Sequence, residues 1–408
     1  MSDQKGFWRF TVLFRQPVLR AYFSGQLLSL TGTWMQRVAE SWLAWELTHS
    51  AWMLGLVSFC GLFPGIFTNF LAGALLDRFN RRLIILTTQW LLSIQALNLA
   101  FLTWQDLITV PLLIMLTITQ AVISGVDMPA RQSFLVYLTN REYLPQTIAM
   151  NSVTVNIGRI AGPALSAVVI PWWGLEGAFL LNGLSFIFLI VVIHRLNLLS
   201  EQQEKEPTSF FKSIREGLVY VFRHPVMGPY LVLFGACNFL AMYYASLLPV
   251  FSDEKFGAGS HGLSIMLVSA GAGALAGAVF IGGWVSSDRV ATVLRWSSLV
   301  LALSVIGMAA APLLHLAVIA LFAGGFSMML QISGTNMLLQ NQTTDEYRGR
   351  VMSLYTFTFT LGTPLGNLWA GALAEAAFPE LPFYTGGVLL IIVFFHLKSA
   401  LKRRTHHA

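Results

Sequence analysis

Long apolar runs joined by short polar segments set the pattern of this chain. Residues 83–105, 107–126 and 351–374 each contain no Asp, Glu, Lys or Arg. About 20 apolar residues suffice for one helix to cross the hydrocarbon core of a bilayer. Residues 296–344 are also free of charge, but that run is too long for one helix. It divides at Pro312 and His315. Read this way, the chain predicts twelve spans, at 19–46, 52–76, 83–105, 108–136, 145–170, 174–194, 226–251, 262–285, 292–312, 314–340, 348–374 and 381–400.

Composition sharpens the reading. Of 408 residues, 55% are hydrophobic and 11% are charged, against about 25% charged in soluble domains. That balance excludes a cytosolic enzyme, a disordered protein and a secreted disulfide scaffold, and it predicts an all-α integral membrane protein. Cys60 and Cys237 lie inside apolar runs and give neither a disulfide framework nor a metal-ligand spacing. The net charge of +6 is better explained by basic cytoplasmic loops than by nucleic-acid binding. With both termini in the cytoplasm, nearly all Lys and Arg fall on the inner side, and Lys255 is the one in an external loop. Residues 1–10 lack the apolar core of a signal peptide.

Residues 195–225 stand apart, with Glu201, Glu204, Lys205, Glu206, Lys212 and Arg215 among them. They read as a solvated cytoplasmic linker in which 210–222 forms an amphipathic helix. The linker separates a six-span bundle, 1–194, from a second, 226–408. The two resemble each other. Phe14-Arg15-Gln16-Pro17-Val18 before span 1 matches Phe222-Arg223-His224-Pro225-Val226 before span 7. At a nearly equal offset, Thr139, Glu142, Tyr143, Gly158 and Gly162 match Thr343, Glu346, Tyr347, Gly362 and Gly366. Parallel repeats of this kind place a binding site between the bundles, near the bilayer midplane.

Between spans 2 and 3 runs Gly73-Ala-Leu-Leu-Asp77-Arg78-Phe-Asn-Arg81-Arg82. This loop resembles the signature of the major facilitator superfamily. Further segments are similar to the branch containing the enterobactin exporter and macrolide-type efflux proteins: Gly32-Thr33-Trp34-Met35-Gln36-Arg37, Asp127-Met128-Pro129-Ala130-Arg131, and Arg159-Ile-Ala-Gly162-Pro163. The resemblance implies two pseudo-symmetric six-helix bundles that export a small or medium organic molecule, a siderophore or drug-like compound, by proton antiport through alternating access. It also implies multidrug efflux as a theme and a bacterial inner (cytoplasmic) membrane as the location. A lysophospholipid transporter or flippase of the same superfamily is the alternative. An uptake symporter and a non-transporting sensor also stay open, although a scaffold has no need of a rocking hinge.

The loop residues Gly73, Asp77, Arg78, Arg81 and Arg82, with Asp127 and Arg131 on span 4, are expected to form a cytoplasmic gate. Asp77 can face the positive end of span 11, and Arg78 and Arg81 can pair with Asp127. Plain retention of basic residues in the cytoplasm is the simpler reading of the same loop. Arg37 and Glu40 lie three apart within span 1, on one helical face, and ionisable groups inside a span face a cavity or a partner. They are expected either to couple protons to substrate or to form a permanent structural pair. Asp127 and Arg159 are further coupling candidates; Arg159 can also attract an anionic substrate.

At the repeat offset Arg37, Glu40, Asp127, Arg131 and Arg159 fall on Ala245, Leu248, Gln331, Thr335 and Thr363, so coupling chemistry is expected in the first bundle. Cavity-lining candidates are Thr33 and Asn156 in the first bundle and Asn238, Tyr243, Tyr244, Gln331, Asn336 and Tyr355 in the second; ordinary helix packing is the competing reading for each. Gly271-Ala-Gly273-Ala-Leu-Ala-Gly277 lies within a span with no strand before it, so it reads as close helix packing rather than a nucleotide fingerprint. Neither a catalytic residue nor a metal site is expected. His406 and His407 alone make no metal site. The expected partners are a small molecule, protons and membrane lipids, with no nucleic acid, no cofactor beyond the proton gradient, and a monomeric protein.

Overall fold

The computed structural model describes residues 16–196 and 210–405. Residues 197–209 of the expected linker, Phe14 and Arg15 of the Phe14–Val18 match, and His406 and His407 lie outside them. Among the described residues all regular structure is helical and no strand occurs. Span 1 is Pro17–Thr48. Span 2 is broken into Ala51–Cys60 and Phe63–Arg78, because Pro64 has no N–H to continue the helical ladder. Span 3, Arg81–Trp104, starts at Asn80, whose Oδ1 accepts from Arg82 N at 2.9 Å and Leu83 N at 3.2 Å. Such a cap contributes about 1 kcal/mol. Span 4 is Val110–Phe134. Within Leu144–Arg195, Gly174 (φ 70°, ψ −177°) leaves helical geometry and divides the segment into spans 5 and 6. Glycine suits that positive φ, and a Cβ there would also collide with the Glu176 carboxylate.

Span 7 is likewise divided, into Met227–Ala241 and Tyr244–Val250, followed by a π turn at Phe251–Lys255. Spans 8 to 12 are Gly259–Trp284, Val290–Ala310, Leu314–Gln342, Arg348–Ala376 and Leu381–Thr405. By length and composition eight helices of the described residues can cross a membrane, Leu144–Arg195 counting once. Pro17–Thr48 and Arg348–Ala376, both rich in polar positions, are not among the eight.

The described residues gather into two compact units. The first takes those of Met1–Leu43 and Pro64–Pro207; the second takes those of Ala44–Phe63 and Thr208–Ala408. In the first, Tyr22, Phe23, Ile85, Phe134, Leu189 and Ile193 form an apolar core. Spans 2 and 4 meet at Gly65 and Gly125, where a Cβ on Gly125 would strike the Gly65 carbonyl. In the second, Gly273 and Gly277 back onto the Phe322 and Phe326 carbonyls and Gly325 onto Ala270, so the small-residue stretch does serve close helix approach.

Two pieces of the second unit explain its composition. The amphipathic helix forms at Phe210–Arg223. Its Gly217 abuts the Arg350 carbonyl, and Tyr220 stacks on Tyr347 with ring centroids 4.3 Å apart. The hairpin Ala44–Phe63 is fastened by Trp45, whose Nε1 donates to Asp253 Oδ2 at 2.8 Å. Glu375 Oε2 accepts from Ser50 Oγ at 3.0 Å and from Trp52 N at 3.1 Å. Beside these bonds Gly55 lies against Gly371.

Candidate functional site

Three polar clusters lie inside the first unit. The first centres on Glu40, which is 6% exposed. Its Oε1 accepts from Gln36 Nε2 at 2.7 Å, and the same amide nitrogen lies 3.2 Å from Gln95 Oε1. Gln36 Oε1 accepts from Asn182 Nδ2 at 2.6 Å. Spans 1, 3 and 6 thus share a buried amide chain that ends in one carboxylate. The local reason is helical periodicity: Gln36 and Glu40, four apart, stack on one stripe.

The second cluster takes the other residue of the expected pair. Arg37 forms no ion pair with Glu40. It is exposed and lies over the Trp34 ring, 4.6 Å from its centroid. Arg159 of span 5 also reaches the Trp34 ring, at 5.2 Å. Three residues on a helix are about 60° apart in projection, enough to send Glu40 into the seam with spans 3 and 6 while Arg37 joins span 5. Gly162 makes the approach possible, since a Cβ there would strike Trp34 and Met35.

The third cluster is Asp127, 5% exposed. Arg131 Nε lies 2.7 Å from Asp127 Oδ2. Asp127 Oδ1 accepts from Thr88 Oγ1 at 2.6 Å and Gln89 Nε2 at 2.9 Å. Arg131 Nη2 reaches Ser29 Oγ at 3.4 Å, and Tyr22 packs beside Phe134 on the same helix. This corrects the expected Asp127 pairing with Arg78 and Arg81. Arg81 Nη1 instead donates to Tyr137 Oη at 2.5 Å, with its guanidinium over that ring. Arg82 Nη2 donates to the His194 carbonyl at 2.6 Å. Asp77 and Arg78 are exposed, as is Gly73, where a Cβ would meet nothing. The physical reason is depth: Thr88 and Gln89 stand two turns into span 3, level with Asp127, and saturate its carboxylate before loop residues reach it.

The cavity-lining expectations divide. Thr33 and Asn156 are half-buried and bond back to their own helices, at Ser29 O (2.8 Å) and Ser152 O (2.9 Å). Asn238, Tyr243 and Gln331 are wholly buried, which corrects their expected contact with substrate. Asn238 donates to Phe234 O at 2.8 Å, Tyr243 to Pro382 O at 2.5 Å, and Gln331 to Leu294 O at 2.6 Å. Each satisfies a backbone carbonyl within the helix packing, as a buried polar group must. Tyr355 donates to Ile332 O at 2.9 Å and stacks on Phe234. Asn336 and Tyr244 stay half-buried. Gln36, Thr88, Gln89, Gln95 and Asn182 escaped the sequence reading; uncharged polar side chains recurring within apolar spans were the signal for them.

Solved structures identify the architecture. The nucleoside transporter NupG (D323A mutant) matches with a TM-score of 0.73, over 93% of this chain and 98% of that one, at 13% identity. A bacterial homolog of the human lysosomal transporter Spinster, inward-facing and unoccupied, matches at 0.72, over 95% and 97%, at 13% identity. These likenesses show the major facilitator fold, and the family to which the chain belongs is one of multi-pass membrane transporters. The chain belongs to the transmembrane secretion effector family of the major facilitator superfamily, whose model matches residues 11–407. Among its relatives, the staphyloferrin A transporter of Staphylococcus aureus (strain NCTC 8325 / PS 47) is 22% identical over 386 residues, 93% of this chain and 96% of that protein. The enterobactin exporter EntS of Escherichia coli O1:K1 / APEC is 25% identical over 416 residues, 98% and 97%.

Proposed function

We propose that this protein exports a small or medium organic molecule, a siderophore or a drug-like compound, in exchange for protons and by alternating access. The buried Glu40 carries this reading. A carboxylate within a span is expensive and marks a function. Asp127, the other buried acid of the first unit, is saturated by a cation and two hydrogen-bond donors. Glu40 has one amide donor and, among the described residues, no ion pair. It is the group whose charge can change without stranding a buried cation. In this reading Glu40 takes a proton from the outer side and releases it inside as the bundles rock, while substrate moves outward. Asp127, held by Arg131, ties span 4 to span 3 through Thr88 and Gln89, and the Asp77 loop biases the rocking. The protein works as a monomer in a bacterial inner membrane, with both termini in the cytoplasm and no cofactor beyond the proton gradient.

The relatives named as a staphyloferrin A transporter and an enterobactin exporter support a siderophore as the substrate. The test is purified protein in liposomes under an imposed pH gradient, offered an iron-free catecholate siderophore, a hydrophobic cationic dye and a lysophospholipid. Gradient-dependent movement of either soluble compound with matching proton counterflow supports the proposal. Movement of lipid alone, indifferent to the gradient, overturns it in favour of a flippase.

A further inference from the structure

Span 9 carries a charge that the export reading does not use. Arg295 lies five residues into Val290–Ala310, about 7.5 Å along the axis from the start of the helix at 1.5 Å per residue. In the proposed orientation that start faces the cytoplasm, so Arg295 stands just inside the inner leaflet. An arginine at such a depth pairs with an acid or a carbonyl, or marks a function. Arg295 is half-buried. Among the described residues it has no ion pair, and its buried Nε has no hydrogen-bond partner. Its surroundings are neutral. The guanidinium lies 5.7 Å from the Trp296 ring centroid. Tyr230 of span 7 is within electrostatic reach, but its hydroxyl donates to the Ala291 carbonyl at 2.9 Å, and a phenol keeps its proton at neutral pH. Phe394 of span 12 packs on Trp296 with ring centroids 5.5 Å apart. The acid nearest in sequence, Asp288, is exposed and interacts with Arg289.

The surface leading away from Arg295 is apolar and open. Trp296, Val300 and Leu303 are exposed and lie four and then three residues apart, so they share one stripe of span 9. Beside them Phe395 and Ile392 of span 12 are exposed too. The two helices touch at Trp296–Phe394 and again where Gly387 meets the Ala302 carbonyl and Ile306. A cation at headgroup depth without an anion, an indole of the kind that settles at the membrane interface, and an apolar stripe running toward the midplane match the parts of one molecule. The geometry points to a binding site for an anionic phospholipid of the inner leaflet, with its phosphate on Arg295, its headgroup beside Trp296 and an acyl chain along Val300 and Leu303. The guanidinium fork suits two phosphate oxygens, and basic pockets between helices on the cytoplasmic side hold anionic headgroups. The site lies wholly within the second unit and does not depend on what the protein transports. A free phosphate shares the headgroup's chemistry; the open apolar stripe assigns the site to the lipid.

The test is lipid binding to the purified full chain in detergent, read by native mass spectrometry as phosphatidylglycerol or phosphatidylcholine of the same acyl chains is titrated in. From the usual contribution of one basic residue near an anionic headgroup, the first phosphatidylglycerol should bind wild type about fivefold more tightly than the first phosphatidylcholine. Arg295→Gln should bring the two lipids level, and Arg295→Lys should keep most of the difference. Arg289→Gln should leave the difference as in wild type, since Arg289 already has Asp288 beside it. Inorganic phosphate should not displace the lipid. Equal binding of the two lipids to wild type overturns the inference, and so does a preference that survives Arg295→Gln. An equal loss in Arg289→Gln overturns it in favour of diffuse surface charge. Displacement by inorganic phosphate overturns the assignment to a lipid. The wild-type comparison depends on no variant, and a monodisperse elution profile checks that Arg295→Gln is folded.

Discussion

Replacing Asp127 by Asn keeps the shape of the side chain and removes its charge. Arg131 then remains in a buried position, its side chain 10% exposed, with no carboxylate opposite. Removing one partner of a buried ion pair costs about 3–5 kcal/mol, because the other charge is left uncompensated. The bonds from Thr88 and Gln89 survive in part but pass from a charged to a neutral acceptor, which lowers each from about 1.5–3 to about 0.5–1.5 kcal/mol. The first effect dominates, so the expected loss is about 3–5 kcal/mol. If the stranded cation is the cause, Asp127→Asn with Arg131→Met should recover most of the loss, since a buried pair can be exchanged for apolar residues at little cost. Reversible unfolding of purified protein in mixed micelles, driven by sodium dodecyl sulfate and read by tryptophan fluorescence, measures both. A loss below about 1 kcal/mol in the single variant, or a double variant no more stable than the single, would refute the reasoning.

Other consequences are equally specific. Gly125→Ala drives a Cβ into the Gly65 carbonyl and the Thr68 hydroxyl, and overpacking of this kind costs about 1–3 kcal/mol; the same unfolding assay should show it, whereas Gly73→Ala, inside a helix with nothing in reach, should cost nothing and can stabilise by up to about 1 kcal/mol. Glu375→Ala removes the acceptor of Ser50 Oγ and Trp52 N, so a cysteine placed at Trp52 should react faster with a membrane-impermeant maleimide than in the Glu375 background; equal rates would mean the carboxylate does not fasten the hairpin. His224 Nδ1 accepts from Val226 N at 3.2 Å and Met227 N at 3.3 Å, capping span 7, and burial lowers its pKa from the ordinary 6.5. The neutral form is the one the fold favours, so this contribution is complete above pH 6.5 and is lost as pH falls through the lower folded-state value. Amide exchange at Met227, corrected for its intrinsic rate, should quicken on acidification through that window in wild type and stay flat in His224→Asn.

The spans were legible in the sequence because charge-free runs of the right length have few alternatives to helix in a bilayer. Breaks within spans were not: Pro64 gave a local signal for the gap in span 2, but the gap between Ala241 and Tyr244 in span 7 coincides with no proline. Arg37 and Glu40 show why a site is harder to read than a fold. Spacing placed them on one side of span 1, yet their 60° divergence, invisible until neighbouring helices are known, sends one to Gln36 and the other to Trp34. Asp127 teaches the same lesson. Arg131 four residues on was readable, whereas Thr88 and Gln89 come from another span and displaced the loop arginines expected there. In the second unit Asn238, Tyr243 and Gln331 looked like cavity groups because polar side chains in apolar spans demand a partner. Their partners are backbone carbonyls, two of them on distant segments, and no local pattern announces those.

The most direct test of the central claim follows proton and substrate flux together in liposomes holding either wild type or Glu40→Gln. The assay reads an internal pH dye while an outwardly transported substrate is supplied on the cytoplasmic face. Glu40→Gln keeps the Gln36 hydrogen bond available through its amide oxygen and removes the group that titrates. Wild type should show proton movement opposite to substrate, and Glu40→Gln should insert and fold normally while losing substrate-driven pH change. Unaltered proton counterflow in Glu40→Gln would contradict the account.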